Sequence, residues 1–426
     1  MRTVSKSVNR RLISEYTSRL KAFSPNARFY LLSVVIFGAA TGVYRLLFNF
    51  YVLSLGFNEA HLGNMITTYN MAALIGALPM GYLGDLLGRK RSFLVAYSLE
   101  SISIIGIVFW RTELAFFLLN ILSGLAFSLA GVTMSPFLME NSQEHERTYL
   151  FSFGMGIQMA MGSVGNWVGG YLPTWVAQSK GVTPTSIVAY SGSLLIIGMI
   201  TLLGLIPLMF LRTRQSSRSE QTVFAPISFA SKHPVLLGKL VSPMLITSIG
   251  AGLIMPFMNV FYRQVHHQPD PVIGGLFAWG SLAMGIGLLI APPLADRIGK
   301  IQLVVITQAL SIPFLALMGF TPIFFISAAS YYIRLALMNM SSPVYDTYVM
   351  EHVEPSARAM VASLVSMANN FGWAFSPTIS GWLQVRYGFT PPFIGTLVLY
   401  SISIYLYWSF FWKRKPKESQ SFASAD

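Results

Sequence analysis

The stretch Gly81-Tyr82-Leu83-Gly84-Asp85-Leu86-Leu87-Gly88-Arg89-Lys90-Arg91 lies between two long apolar segments of the chain. A second stretch, Leu294-Ala295-Asp296-Arg297-Ile298-Gly299-Lys300, occupies the same setting 211 residues later. Glycine permits a tight turn and a close approach of neighbouring segments. Charged residues stay at the ends of membrane spans rather than in the hydrocarbon. The pattern therefore predicts a tight, charged turn between two apolar helices, built twice in one chain.

The offset of 211 residues relates other positions as well, and these are concentrated on charged residues and glycine. One such match would be chance, whereas a series at one offset indicates a duplicated unit of six spans. The matched positions are Phe50-Tyr51 with Phe261-Tyr262, Asp85 with Asp296, Gly88 with Gly299, Met139-Glu140 with Met350-Glu351, Arg147 with Arg358, and Gly170 with Gly381.

The composition places the whole chain in a membrane. Of the 426 residues 54% are apolar and 11% are charged, against about 25% charged in ordinary soluble proteins. Apolar residues run the full length, which excludes a soluble enzyme, a nucleic-acid binder, a disordered chain and a single-span anchor. The chain has no cysteine, so disulfides, thiol catalysis and cysteine-bound metals are excluded.

Twelve apolar segments follow from a span length of about 22 residues. They predict an all-α membrane protein with twelve transmembrane helices in two pseudo-symmetric six-helix halves. The predicted organisation is an N-terminal tail (1–28), a first half (29–211), a linker (212–234), a second half (235–412) and a C-terminal tail (413–426). The predicted spans are 29–55, 62–83, 92–110, 114–139, 148–172, 187–211, 235–262, 273–294, 301–320, 323–350, 359–384 and 391–412.

The distribution of positive charge predicts the orientation. With Lys239, at the start of span 7, counted in the loop before it, the two tails and the loops on their side of the membrane carry 23 Lys and Arg, and the loops on the other side carry 4. Positive loops stay on the cytoplasmic side, so both termini are expected in the cytoplasm of a multi-pass protein of the cell membrane. The net charge of +13 is accordingly interpreted as topology, and no nucleic-acid partner is expected.

Both charged turns resemble the G-x-L-x-D-R-x-G-R-R/K-R/K loop of the major facilitator superfamily. In the first turn Leu86 replaces the arginine that usually follows the aspartate, whereas Arg297 keeps it in the second, and Pro292 stands where the first glycine is expected. The spacings Glu140…Arg147 and Glu351…Arg358 resemble the E-x6-R element of that superfamily's sugar-porter branch. The resemblance covers all twelve spans and says little about the substrate.

This resemblance implies a secondary active transporter that works by alternating access, with spans 1, 4, 7 and 10 lining a central cavity. It also implies that the repeated charges clamp the two halves in one state and separate in the other. The alternative is that they are static loop charges that follow the positive-inside rule. The predicted gating residues are Asp85, Gly88, Arg89, Glu140, Arg147, Asp296, Arg297, Gly299, Glu351 and Arg358.

Apart from Lys239 at the start of span 7, four ionisable residues fall inside predicted spans: Arg45, Glu100, Arg334 and Asp346. Such residues usually face a watery cavity or a partner. The arginines either bind an anionic or strongly polar substrate, or pair with the two acids and stabilise the bundle. Glu100 and Asp346 are the candidates for proton coupling; the alternatives are a structural carboxyl at Glu100 and a gating role for Asp346. The predicted substrate-binding residues are Arg45, Asn49, Gln158, Asn166, Arg334 and Asn370.

The direction of transport is predicted only from span 5. There Gly165-Asn166-Trp167-Val168-Gly169-Gly170 resembles the G-P-x-x-G-G core of the superfamily's antiporter motif, with Asn in place of Pro. This favours a proton-coupled exporter, with ordinary small-residue helix packing as the alternative. The other functions that stay open are an importer of an organic anion and a membrane sensor without flux. The expected partners are a small-molecule substrate, the lipid bilayer and a coupling proton; no cofactor or metal is expected, and the protein is expected to work as a monomer.

Overall fold

The computed structural model describes residues 23–212, 234–351 and 358–412. The predicted tails fall mostly outside these ranges, as does nearly all of the predicted linker. The regular structure that is described consists of helices. They are α1 (Pro25–Ser54), α2 (Glu59–Leu87), α3 (Arg89–Phe109), α4 (Glu113–Glu140), α5 (Glu144–Lys180), α6 (Ile187–Met209), α7 (Pro234–Ile254), α8 (Met258–Gln264), α9 (Asp270–Ile298), α10 (Lys300–Phe320), α11 (Phe324–Glu351), α12 (Arg358–Tyr387) and α13 (Thr390–Phe411).

These helices reproduce the twelve predicted spans, because α7 and α8 together form the seventh. Within the described ranges, nine spans are long and apolar enough to cross a membrane by length and composition. The largest difference from prediction is α5, which runs from Glu144 to Lys180 instead of 148–172. It ends where Gly181 adopts a left-handed conformation (φ 65°), which L-residues with side chains rarely adopt.

The chain packs as two units, and their division does not follow the duplication in the sequence. Among the described residues, unit 1 contains 23–47 and 75–212, and unit 2 contains 48–74, 234–351 and 358–412. The division therefore cuts α1 and α2 near their middles. Residues 48–74, here called the hairpin, pack with the helices of unit 2.

In unit 1 a seam of small residues joins α1 to α5. A side chain at Gly42 would collide with the carbonyl of Gly162, and one at Gly165 would collide with that of Ala39. A side chain at Gly169 would stand 3.1 Å from the Cα atom of Val43. Small residues allow this close approach of two membrane helices. The glycines of span 5 thus have a packing role that does not depend on any direction of transport.

In unit 2 the seventh span is interrupted at a 3-10 turn, Met255–Phe257, between α7 and α8. Pro256 within this turn has no N–H to donate, which breaks the ladder of helical hydrogen bonds. Buried side chains of neighbouring elements satisfy carbonyl groups near the break. The oxygen of Leu253 accepts from Ser380, and the oxygen of Gly250 accepts from Thr396 at 2.9 Å.

The hairpin is bonded to this broken span. The Asn49 amide donates to the carbonyl oxygen of Pro256 and to the Asn259 side chain, both at 2.7 Å. The Arg263 guanidinium lies 3.4 Å from the centre of the Phe50 ring. Three further hydrogen bonds join the hairpin to α8 and α12: Gln264 to Glu59 at 2.6 Å, Asn70 to the Trp373 carbonyl at 3.1 Å, and the Thr378 N–H to Thr67 at 3.2 Å.

Candidate functional site

The first charged turn, between α2 and α3, holds a three-residue ion cluster. Gly88 forms the turn with a φ of 76° and precedes the first residue of α3. The Arg89 guanidinium then reaches Asp85 at 2.9 Å and Glu140, at the end of α4, at 3.0 Å. Arg89 is 14% exposed and Glu140 is 27% exposed, whereas Asp85 is 61% exposed. The shielded half of the cluster is therefore the Arg89–Glu140 pair.

The second charged turn, between α9 and α10, repeats this geometry with fewer charges. Gly299 has a φ of 97° and precedes the first residue of α10. Lys300 forms an ion pair with Glu351 at the end of α11. These two residues match Arg89 and Glu140 at the offset of 211. Asp296 and Arg297 are exposed, and neither forms an ion pair within the described ranges.

The arginine of the first E-x6-R element, Arg147, forms no bond to Glu140 within the described part of the chain. Glu140 accepts from Arg89, and the buried Nε of Arg147 has no hydrogen-bond partner among the described residues. Arg358 begins α12, and its side chain lies outside what the structure describes. The ion pair of each turn is thus formed by the first residue of the following helix.

In unit 1 the two ionisable residues inside the spans face one another. Arg45 on α1 is exposed, Glu100 on α3 is half-buried, and the two interact electrostatically. No spacing rule in the sequence predicts this proximity, because the two residues lie on different spans. Gln158 and Asn166, on α5, belong to the same unit; Gln158 is exposed and Asn166 is half-buried.

The other predicted binding residues lie in unit 2, in different surroundings. Asn49 is 4% exposed, and its hydrogen bonds to Asn259 and Pro256 tie the hairpin to the broken span. Asn370 on α12 is exposed and donates to the Ser366 carbonyl at 3.0 Å. Asp346 is exposed near the end of α11, and among the described residues it forms no ion pair.

Arg334 on α11 is the most completely buried cation in the part of the chain that the structure describes, at 2% exposure. Its Nη2 donates to the Tyr400 hydroxyl at 3.0 Å, and its Nη1 contacts the Met255 sulfur at 3.7 Å. Its Nε has no hydrogen-bond partner among the described residues. Arg334 forms no ion pair within the described ranges either, although an isolated buried charge is costly.

Three tyrosines, Tyr262, Tyr331 and Tyr400, interact electrostatically with this guanidinium. Its Cζ lies 5.4 Å from the centre of the Tyr400 ring. Tyr331, one turn before Arg334 on α11, stands edge-to-face with Tyr262 at 6.0 Å and lies 5.8 Å from Phe277. The sequence analysis missed Met255 and Tyr400; the proline beside Met255 was a signal of a helix break, but nothing in the sequence marked Tyr400.

The predicted substrate-binding residues are therefore divided between the units: Arg45, Gln158 and Asn166 in unit 1, and Asn49, Arg334 and Asn370 in unit 2. No group of His, Cys, Asp or Glu that could hold a metal ion occurs among the described residues. Ionisable residues within helical spans, a broken helix and an internally repeated sequence are typical of secondary transporters.

The comparison with protein families agrees. The family model described as Major Facilitator Superfamily matches residues 30–338 and 244–426. The chain belongs to this superfamily of multi-pass membrane transporters, and the predicted resemblance is confirmed.

Solved structures share the fold. A nucleoside transporter is 17% identical, with a TM-score of 0.72, over 92% of this chain and 100% of that one. A D-xylose–proton symporter is 16% identical, with a TM-score of 0.71, over 91% and 97%. The predicted fold class, twelve helices in two six-helix halves, is thereby confirmed.

A search of characterised proteins also found a relative. It is a gallate transporter of Pseudomonas putida, 27% identical over 173 residues, which are 41% of this chain and 36% of that protein. The match therefore spans about a third of the relative's length.

Proposed function

We propose that the protein is a secondary active transporter that carries a small organic anion by alternating access. The observation that carries the proposal is Arg334, a buried cation without a carboxylate partner among the described residues. A guanidinium binds carboxylates through charge-assisted hydrogen bonds, which are about twice as strong as neutral ones. The relative that transports gallate, an aromatic carboxylate, supports the same substrate class.

The proposed energy source is a proton gradient, with Glu100 as the leading proton carrier. An anion that enters a negative cell works against about 2.3 kcal/mol per charge at 100 mV. One proton carried with the anion cancels that cost. Glu100 interacts with Arg45, so its protonation would release this arginine in a charge-dependent step. Asp346, exposed on α11, is the second candidate.

The proposed direction is uptake. The glycines that favoured export in the sequence analysis form the seam between α1 and α5, which accounts for them without reference to direction. Proton-driven uptake also matches the coupling named for the D-xylose–proton symporter of the same fold. The proposed location is the cell membrane, with cytoplasmic termini and a working monomer.

The proposal is tested by uptake of gallate and benzoate into proteoliposomes. An inward proton gradient should drive accumulation by the wild type, and dissipation of the gradient should abolish it. Arg334→Ala should abolish uptake, and Arg334→Lys should retain part of it because the charge remains while the fork geometry is lost. Glu100→Gln should permit exchange of anions but no proton-driven accumulation. Failure of every carboxylate to bind or move would refute the proposal.

Orientation has its own test, because the chain has no cysteine background. A single cysteine at position 180 should react with an impermeant thiol reagent on intact cells, and one at position 218 should not. The reverse pattern would contradict the proposed topology.

A further inference from the structure

The guanidinium of Arg334 has only one strong hydrogen-bond acceptor among the described residues. Of its hydrogen-bonding groups, Nη2 has one strong neutral acceptor, the Tyr400 hydroxyl at 3.0 Å. Nη1 meets only the thioether sulfur of Met255 at 3.7 Å, and a thioether is a weak acceptor. Because Nε has no hydrogen-bond partner among the described residues, the Nη1 and Nε groups can both gain from a stronger acceptor.

The Met255 side chain can move away from the guanidinium. It opens the 3-10 turn between α7 and α8 and is half-buried, unlike Arg334 behind it. Methionine is unbranched and flexible, so its side chain moves between rotamers more readily than the aromatic residues around it. A change of its rotamer would remove the sulfur from Nη1.

The remaining walls are aromatic. The Tyr400 ring centre lies 5.4 Å from the guanidinium carbon. Tyr262 and Tyr331, whose rings form an edge-to-face pair, both interact electrostatically with Arg334. Aromatic rings favour other aromatic rings at centroid distances of about 4.5–7 Å. A ligand that replaces Met255 at the guanidinium therefore enters an aromatic environment rather than an aliphatic one.

Resting on the proposed transport of an organic anion, we infer that this site takes an aromatic monocarboxylate. One of its carboxylate oxygens replaces the Met255 sulfur as the acceptor of Nη1 of Arg334, and its ring packs against Tyr331 and Tyr400. Met255 in the present structure thus occupies the position of the carboxylate.

Ligand binding to the purified full-length chain tests the ligand class, with benzoate, cyclohexanecarboxylate and benzamide as probes in calorimetric titrations. Benzoate should bind, and benzamide, which lacks the charge, should bind at least tenfold more weakly. Cyclohexanecarboxylate, which keeps the charge but lacks the aromatic ring, should bind about three- to tenfold more weakly. Equal affinity for benzoate and cyclohexanecarboxylate would overturn the inference and leave the proposed anion transport standing.

A substitution at Met255 tests the position. Met255→Glu supplies a carboxylate within the chain, which should occupy Arg334 and weaken benzoate binding at least tenfold. The matched control Met255→Gln, of similar size without the charge, should stay within about threefold of the wild type. Benzoate binding and uptake that are unaffected by Met255→Glu would place the anion elsewhere and overturn the inference alone. Loss of fold in Met255→Glu is recognised by gel filtration, and Tyr331→Leu then serves instead: it should equalise benzoate and cyclohexanecarboxylate, and a retained preference for benzoate would overturn the inference.

Discussion

The two charged turns share a backbone and differ in charge. Gly88 and Gly299 have nearly the same conformation, with φ and ψ of 76° and 159° in the first and 97° and 148° in the second. Each is followed by a basic residue that pairs with a glutamate at the end of a later helix. In the first turn Arg89 binds Asp85 as well as Glu140, whereas in the second Lys300 binds Glu351 and Asp296 is exposed.

The difference follows from the chemistry of the two cations. A guanidinium presents five N–H groups in a planar fork and can bridge two carboxylates, whereas an ammonium is a compact point charge. The first turn also shields its main pair better, since Glu140 is 27% exposed and Glu351 is 53% exposed. Duplication thus preserved the turn and one ion pair, and the strength of the pair diverged between the halves.

The largest expected effect comes from Glu140→Gln. Loss of a shielded charge-assisted bond is worth about 1.5–3 kcal/mol, enough to open the first turn tenfold more often. The matched reporters are the single substitutions Ser92→Cys and Leu303→Cys. Both positions are fully buried and are related by the offset of 211. In the Ser92→Cys background, Glu140→Gln should raise the rate of thiol labelling about tenfold. An unchanged rate, with helix content intact by circular dichroism, would show that the pair does not hold the turn.

A smaller effect is expected from Glu351→Gln. The Lys300–Glu351 pair is half-exposed, and exposed ion pairs contribute about 0.2–1 kcal/mol. In the Leu303→Cys background this substitution should raise the labelling rate about threefold. A tenfold rise would mean that the two ion pairs stabilise their turns equally and that the greater exposure of Glu351 does not weaken its pair.

The smallest effect is expected from Asp85→Asn, because Asp85 is 61% exposed and Arg89 keeps Glu140. Labelling of Ser92→Cys should rise about twofold at low salt, and 1 M salt should remove the difference, since the Debye length is then about 3 Å. Asp296→Asn is the matched control and should leave Leu303→Cys unchanged. An equal response to Asp85→Asn and Asp296→Asn would contradict the finding that, among the described residues, only the aspartate of the first turn forms an ion pair.

The sequence predicted the features that follow from its internal repeat and from local rules for spans and turns. The spans follow from long apolar segments, and the turns follow from glycines that both adopt positive φ values. The offset of 211 aligned Arg89 with Lys300 and Glu140 with Glu351 before any contact was known.

What the sequence did not predict depends on contacts between distant helices. Glu140 bonds to Arg89, not to the Arg147 that follows it at motif spacing, because α3 begins beside the end of α4. Arg45 meets Glu100 across two helices, and Arg334 meets Tyr400 across 66 residues. No spacing rule within one span encodes such pairs, so the gating and binding assignments remain predictions.

The placement of the hairpin has a consequence for how the chain is made. When a ribosome has completed α6, residues 48–74 are already in the bilayer, but Pro256, Asn259 and Arg263, which bond them, have not been synthesised. The partners on α12, Trp373 and Thr378, follow later still. The hairpin therefore lacks these contacts until most of the remaining chain has been inserted. The two duplicated halves therefore do not complete their packing independently. The hairpin is made early, but it acquires its last contacts only after α12 has been made.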